Sequence, residues 1–240
     1  MVEKDNVLLT TALENILDIY VLADGILCSI SDEHQNVVLR KELHIPIHSK
    51  MDIHFVEKFF HQPEFDLINE NVNIHIINFG YQLIPSELYR QNDSEKLFEM
   101  MFGKAENETL LVNVLPKWNM HLVYRIPEKL IVLFNDIYPD AEKKHHIFEL
   151  LKNFIHRSEE AVYLNILKIA VDLVLLKDSK LQIINTFAVK TDEDICYHTL
   201  NIYEQFQLNT ENFKLKIKKN STMSQSAIEL LKQYISVVDI

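Results

Sequence analysis

Glycine is nearly missing from this chain. Gly25, Gly80 and Gly103 are the three glycines in 240 residues, where average usage of about 7% would give roughly 17. Loops that cradle phosphate need several glycines each, because a backbone amide can approach the anion only where no Cβ intervenes. Three glycines so far apart build no such set of loops in any alignment. Cysteine is as sparse: Cys28 and Cys196 stand in separate apolar stretches, without the spacing of a zinc ligand set or a redox motif. Both read as reduced core residues. Positive charge is in deficit, 24 Lys and Arg against 35 Asp and Glu, for a formal net charge of -11. That balance opposes binding to nucleic acid or an anionic membrane, and it suits a basic protein partner. Long hydrophobic runs are absent as well. Ile166 to Leu176 is broken by Lys168 and Asp172 and falls short of the roughly 20 residues of a membrane span. Met1 to Thr10 carries Glu3, Lys4 and Asp5 and has no apolar core for a signal peptide. A cytoplasmic protein without integral membrane association is expected, and a homodimer is compatible with all of this.

What the chain does have is apolar mass, 48% of its residues, enough for one large core or two smaller ones. Its pattern repeats. Ile16 to Leu22, Ile26 to Ile30 and Val37 to Ile45 read as strands of an antiparallel meander, with turn chemistry at Asp24-Gly25 and Asp32 to Asn36. Ser49, with Asp52 three residues on, reads as the cap of a helix carrying Met51, Phe55, Val56, Phe59 and Phe60. A strand at Val72 to Asn78 follows. The second half repeats the order: strands at Ala161 to Lys168, Val171 to Lys177 and Leu181 to Val189, a helix capped by Thr191 and Asp194, and a strand at Phe213 to Lys218. A helix at Ser226 to Ile235 and a short strand at Ser236 to Ile240 close it. Leu164, Ile166, Leu181, Ile183 and Phe187 are expected in a sheet covered on both faces.

Between the copies lies a mixed segment. Asn92 to Gly103 reads as a helix with Leu97, Phe98, Met101 and Phe102 inward and Gly103 as its stop. Strands at Leu110 to Val114 and His121 to Ile126 lead to Pro127, placed in the first turn of a helix ending at Tyr138, and Ile147, Leu150, Leu151 and Phe154 mark one more helix. No linker rich in Pro, Gly or Ser separates the halves, so they are expected to pack closely. The division is an N-terminal half at 1–158, with an inserted α/β segment at about 85–145, and a C-terminal half at 159–240.

Three strands, helix, strand, occurring twice, describes the duplicated ribonuclease H-like fold of actin, sugar kinases and the heat-shock ATPases. Asn185-Thr186-Phe187, Thr191 to Asp194, Tyr197 with Leu200, and Tyr81 to Tyr89, read as strand, Pro and short helix, resemble a family of bacterial proteins of unknown function, domain of unknown function 3822. That family is assigned an actin-like ATPase fold. The resemblance implies this α/β fold over nearly the whole chain and brings no activity with it. Actin-like ATPases place an Asp-x-Gly turn between the first two strands of each half, glycine admitting phosphate and the carboxylate organising Mg²⁺ or water. Here the first turn offers Asp18-Ile19-Tyr20 or Asp24-Gly25-Ile26, and the second offers Asn165-Ile166-Leu167; neither half has the pattern. Where paired glycines receive adenosine, this chain has Lys218-Lys219-Asn220-Ser221. Asp18, Asp24, Gly25, Asn165, Leu167, Lys218 and Lys219 are therefore vestigial cleft positions, with no catalytic residue, cofactor or metal expected.

Other chemistry finds less support. A metal-dependent nuclease needs clustered carboxylates; Asp18, Asp24 and Asp172 are the candidates, and they read as turn or strand-edge residues near solvent. Lys214, Lys216 and Lys218 share one strand face and read as solvated. His44 and His48 straddle Pro46, and His145-His146 sits at a strand-to-helix junction without a second ligand pair. Ser86 and Ser226 lack the nucleophile-elbow glycines. Trp118, in a turn, either packs beneath its loop or anchors a partner. The reading is a non-catalytic actin-like protein used as an interaction or scaffold module. Its rivals are a degenerate nucleotide binder without hydrolysis and a cytoplasmic component of a membrane-associated assembly.

Overall fold

The computed structural model describes residues 15–65, 71–154, 159–167, 170–218 and 225–239. The chain divides into two compact units, Met1–Ile155 and His156–Ile240. In the first, β1 (Ile16–Leu22), β2 (Gly25–Ser31) and β3 (Val37–His44) form an antiparallel meander, and β4 (Val72–Ile76) returns parallel to β1. After an insertion, β8 (Glu142–His145) adds parallel to β4, giving the order β3-β2-β1-β4-β8. The second unit repeats this with β9 (Ala161–Ile166), β10 (Ala170–Lys177), β11 (Lys180–Ala188), β12 (Leu215–Lys218) and β13 (Val238–Asp239), in the order β11-β10-β9-β12-β13. Directions match strand for strand. The fold is α/β, with the duplicated ribonuclease H-like topology of actin-like proteins.

The local chemistry explains the repeat. Strict alternation in β1 buries Leu17, Ile19 and Val21 and leaves Asp18 and Tyr20 on the other face. Asp178 and Ser179 take positive φ (54° and 57°) in the two-residue turn between β10 and β11, the backbone that matches the twist of a hairpin. Helix α1 (Ile53–Phe60) buries Val56, Phe59 and Phe60; its cap is Asp52, whose carboxylate accepts from the His54 amide, and not Ser49. Asp52 holds that place because Asp accepts from the free N–H groups of the first turn. Helix α5 (Asp192–Gln205) opens on the expected capping box, Thr191 and Asp194 each accepting from the other's amide. With α6 (Gln225–Lys232) it covers the apolar face of Val162, Leu164, Leu173, Leu175 and Leu215, burying Cys196, Ile202, Tyr203 and Ile228.

The insertion carries the antiparallel sheet β5-β7-β6, from β5 (Tyr81–Pro85), β6 (Glu108–Leu115) and β7 (Met120–Pro127), with helices α2 (Gln91–Phe102) and α3 (Glu128–Ile137). Helix α4 (His146–Phe154) follows β8 directly. Pro127 is the residue before α3 and still belongs to β7. Trp118 ends a 3-10 turn, half-buried, and its indole N–H donates to the Leu151 carbonyl at 3.3 Å. It satisfies one of the last carbonyls of α4, which have no partner within the helix. Packing is thus its role here. Residues 86–88 form a turn and not a short helix, with the Leu88 and Tyr89 amides donating to the Pro85 carbonyl.

Several burial expectations fail, among them Phe55 on α1, which is exposed. On α2 only Ser94 and Phe98 are buried, and Leu97, Met101 and Phe102 are exposed. On β11, Leu181, Ile183 and Phe187 are half-buried, because that strand is the edge of its sheet and packs with one face. Leu164 and Ile166, on the central β9, are buried as expected.

Candidate functional site

The meander turns set the register between the two units. In the first, Leu22 pairs with Gly25 across Ala23-Asp24. In the second, the Leu167 amide donates to the Ala170 carbonyl at 2.8 Å, one step beyond the Ile166–Val171 pair. Leu22 therefore corresponds to Leu167, and Tyr20-Val21-Leu22 to Asn165-Ile166-Leu167. Of the registers expected for the first turn, Asp18-Ile19-Tyr20 begins two residues earlier on β1, and Asp24-Gly25-Ile26 lies across the turn and into β2. Leucine stands at the same place in both units, with Tyr20 and Asn165 two residues before it on the open face.

Gly25 has a different task. A Cβ built on it would lie 2.2 Å from the Leu43 carbonyl oxygen, so the residue is glycine because β3 passes too close for any side chain. Asp24 is exposed in the turn.

On the open face of the first sheet, register lines up two rows across five strands: Arg40, Ser29, Asp18, Asn73, Glu142 and, beside it, Glu42, Leu27, Tyr20, His75, Lys144. Asp18 is not at a sheet edge. It lies on the central strand with its side chain 24% exposed, accepting from Asn73 Nδ2 at 3.0 Å and lying 3.4 Å from His75 Nε2. Burial pushes its carboxyl up, but the hydrogen bonds from His75 and Asn73 and the His75 charge outweigh it, and the pKa is lowered. Tyr20 stacks on His75, ring centroids 4.8 Å apart. Burial raises the Tyr20 hydroxyl, the Asp18 charge adds to this, and Arg40 opposes it.

The corresponding row of the second unit is Thr186, Asp172, Asn165, Lys218. Asp172, expected near solvent, is completely buried on β10, between β11 and β9. Its two carboxylate oxygens accept from Asn165 Nδ2 and Thr186 Oγ1, both at 2.8 Å. A buried carboxylate persists only when such donors replace its water. Asn165, the amide in place of the expected acid, is thus a donor to Asp172 on the neighbouring strand. Lys218 sits exposed at the end of β12, in register with Asn165; Lys219 lies outside the described residues. Lys214 and Lys216 do not form a free basic patch, since Glu159 bridges them, 2.6 Å from Lys214 and in hydrogen-bond contact with Lys216. Those two lysines hold the Glu159 carboxyl down at about 2.

Sequence comparison places the whole chain. The model of the family "Protein of unknown function (DUF3822)" matches residues 4–238. The chain belongs to this family. Among curated proteins none matches. Among solved structures, a Bacteroides thetaiotaomicron protein with actin-like ATPase fold and unknown function is 25% identical, covering 96% of this chain and 92% of that one at a TM-score of 0.79. A PilM–PilN type IV pilus biogenesis complex is 11% identical, covering 95% of this chain and 88% of the other at 0.47. The ethanolamine utilization protein EutJ from Carboxydothermus hydrogenoformans is 7% identical, covering 98% and 89% at 0.49. At such identities and TM-scores the last two say nothing of partner or pathway.

An actin-like ATPase fold implies a nucleotide with Mg²⁺, and the residues of this DUF3822 chain do not fit its phosphates. Backbone amides hold phosphate where the chain lacks a Cβ, and Leu22 and Leu167 each place a branched side chain there. Among the described residues no three of His, Cys, Asp and Glu gather as metal ligands, and no helix is long and apolar enough to cross a membrane. The start of α5 carries Asp192, Glu193 and Asp194, a field that repels an anion. His145, completely buried, faces Asn78 Oδ1 through Nε2 at 3.0 Å and the Ile147 amide through Nδ1 at 3.3 Å. It acts as a structural bridge into α4.

Proposed function

We propose that this DUF3822 protein is a non-catalytic actin-like protein that works as an interaction or scaffold module in the cytoplasm, with a basic protein as the partner its charge suits. The observation that carries the reading is the pair of leucines, Leu22 and Leu167, at the corresponding turns of the two units. Phosphate transfer in this fold is positioning and charge neutralisation, and neither turn supplies the amides or the carboxylate for it. The acidic balance of -11 favours a basic partner by steering.

One feature favours a second reading, a nucleotide binder without hydrolysis: the stacked Tyr20–His75 pair beside Asp18 and Asn73 offers an aromatic ring and hydrogen-bonding groups to a base. Melting the protein with and without millimolar Mg-ATP separates the two. A ligand at a hundredfold excess over Kd adds about 2.7 kcal/mol to a folded state it alone binds, a shift readily seen. No shift and no turnover are expected. A clear shift that Tyr20→Ala removes would establish the nucleotide reading instead.

A further inference from the structure

The helix α2 turns its apolar side the unexpected way. Phe98 and Ser94 face the sheet, while Met100 is 83% exposed, Met101 61% and Leu97 39%. Met100 is the most exposed large hydrophobic side chain among the described residues. Spaced three and four apart, these side chains form one stripe along the helix. An acid, Asp93, lies four residues before Leu97 and opens the stripe; a base, Lys104, lies just past its other end. Gly103 stops the helix with φ +80°, and its carbonyl accepts from Arg125 at 2.8 Å, which fixes where the chain leaves.

A partner complementary to this stripe must carry apolar groups in its middle, a base opposite Asp93 and an acid opposite Lys104. The same helix run antiparallel sets Leu97 against Met100 and brings Asp93 to the end where Lys104 follows the Gly103 stop. We infer that α2 pairs with α2 of a second copy of this chain about a two-fold axis, Leu97 against Met100, Lys96 against Met101, and Asp93 against Lys104 of the other copy. A two-fold interface is self-complementary by construction, each pair occurring twice. Local pairing is needed here because two chains of charge -11 otherwise repel. The helix has 12 residues, about 18 Å of length, and offers a contact well below the standard interface size. The dimer is therefore weak, forming between micromolar and millimolar protein. The inference does not rest on the proposed function, since Mg-ATP binding is tested separately and either result leaves the association to be measured.

Sedimentation of the full chain across that concentration range is the test. A monomer–dimer equilibrium is expected, with Met100→Glu weakening it at least about tenfold, one step on the affinity scale. Asp93→Lys and Lys104→Asp should each weaken it, by placing like charges opposite one another, and the double variant should restore it. Mixing chains that carry Leu97→Cys with chains that carry Met100→Cys should give a cross-link between copies under mild oxidation; the native Cys28 and Cys196 are buried and free and add little background. Circular dichroism checks that each variant is folded. A monomer at every concentration, a dimer indifferent to Met100→Glu, or a double charge variant no better than the single ones would overturn the inference. So would a dimer that persists while the Leu97 and Met100 positions fail to cross-link.

Discussion

Replacing Asn165 by Asp would write the missing acid back into the second turn, and the structure gives a definite reason why the fold should resist it. Asn165 Nδ2 donates to Asp172 Oδ2 at 2.8 Å, and Asp172 is completely buried. Asn165→Asp removes that donor and sets two carboxylates about 3 Å apart. Loss of a hydrogen bond to a charged group costs about 1.5–3 kcal/mol, and the pair can avoid the repulsion only by sharing a proton. The shared proton raises one carboxyl above its unfolded value of roughly 3.9, so the folded state binds more protons than the unfolded one between those two values. Stability of the variant, relative to the parent, then rises as pH falls through that window, by up to about 1.4 kcal/mol per unit. At pH 7 the expected deficit is roughly 2–4 kcal/mol, shrinking towards pH 4 as the proton is taken up. The assay is urea denaturation of parent and variant at pH 7, 5.5 and 4. Far-UV circular dichroism is the signal needed, because the single tryptophan, Trp118, lies in the other unit. A deficit below about 0.5 kcal/mol at pH 7, or one that does not change with pH, would refute the reasoning.

Two further outcomes follow from other sites. Burial, and then the charge of His146, push the His145 pKa well below its ordinary value, with the contact to Asn78 opposing. The unfolded chain therefore takes up the proton first: stability contributed by neutral His145 is intact above roughly pH 6.5 and declines below it, by up to about 1.4 kcal/mol per unit, until the folded pKa is reached. Denaturation followed by Trp118 fluorescence should show this decline between pH 7 and 5, and His145→Gln should flatten it; an unchanged slope in the variant would assign the effect elsewhere. Gly25→Ala should destabilise by roughly 1–3 kcal/mol, the range for overpacking, since its Cβ would lie 2.2 Å from the Leu43 carbonyl oxygen. An unchanged melting temperature would show that β3 moves aside freely.

The duplicated fold was legible because its signals are local. Alternation in β1, Asp178-Ser179 in a tight turn, and the Thr191–Asp194 capping box each lie within a few residues of what they organise. The misread elements are those decided by distant partners. Helical spacing on α2 shows that Leu97, Phe98 and Met101 share a side, but which of two adjoining stripes packs is set by the sheet beneath, where Ile84 and Val123 receive Phe98. The Arg125 guanidinium lies 4.8 Å from the Phe98 ring centre and covers it from the polar side. For β11 the apolar content resembled that of a central strand, and only the strand order makes it an edge. In sequence Asp172 reads as a solvent-facing break in an apolar run; its donors stand 7 and 14 residues away, on the strands to either side.

The candidate site is less legible than the fold. An Asp-x-Gly pattern leaves Asp18 and Asp24 both open for the first turn, whereas strand register pairs Asn165-Ile166-Leu167 with Tyr20-Val21-Leu22. The glycine count needs no register. Each of the three glycines can now be placed: Gly25 yields to the passing backbone of β3, Gly103 turns the chain at the end of α2, and Gly80 lies in the connection before β5 with the Phe102 ring as its neighbour. None is at the end of β1 or β9. An aligned motif fails when the chain slips by two residues, because alternate residues of a strand face the same way and both registers look sound. A composition cannot slip. That difference is why the glycine count supports the proposal whatever the alignment, while the bond from Asn165 to Asp172 is why restoring one acid at Asn165 is expected to unsettle the sheet before it could organise a metal.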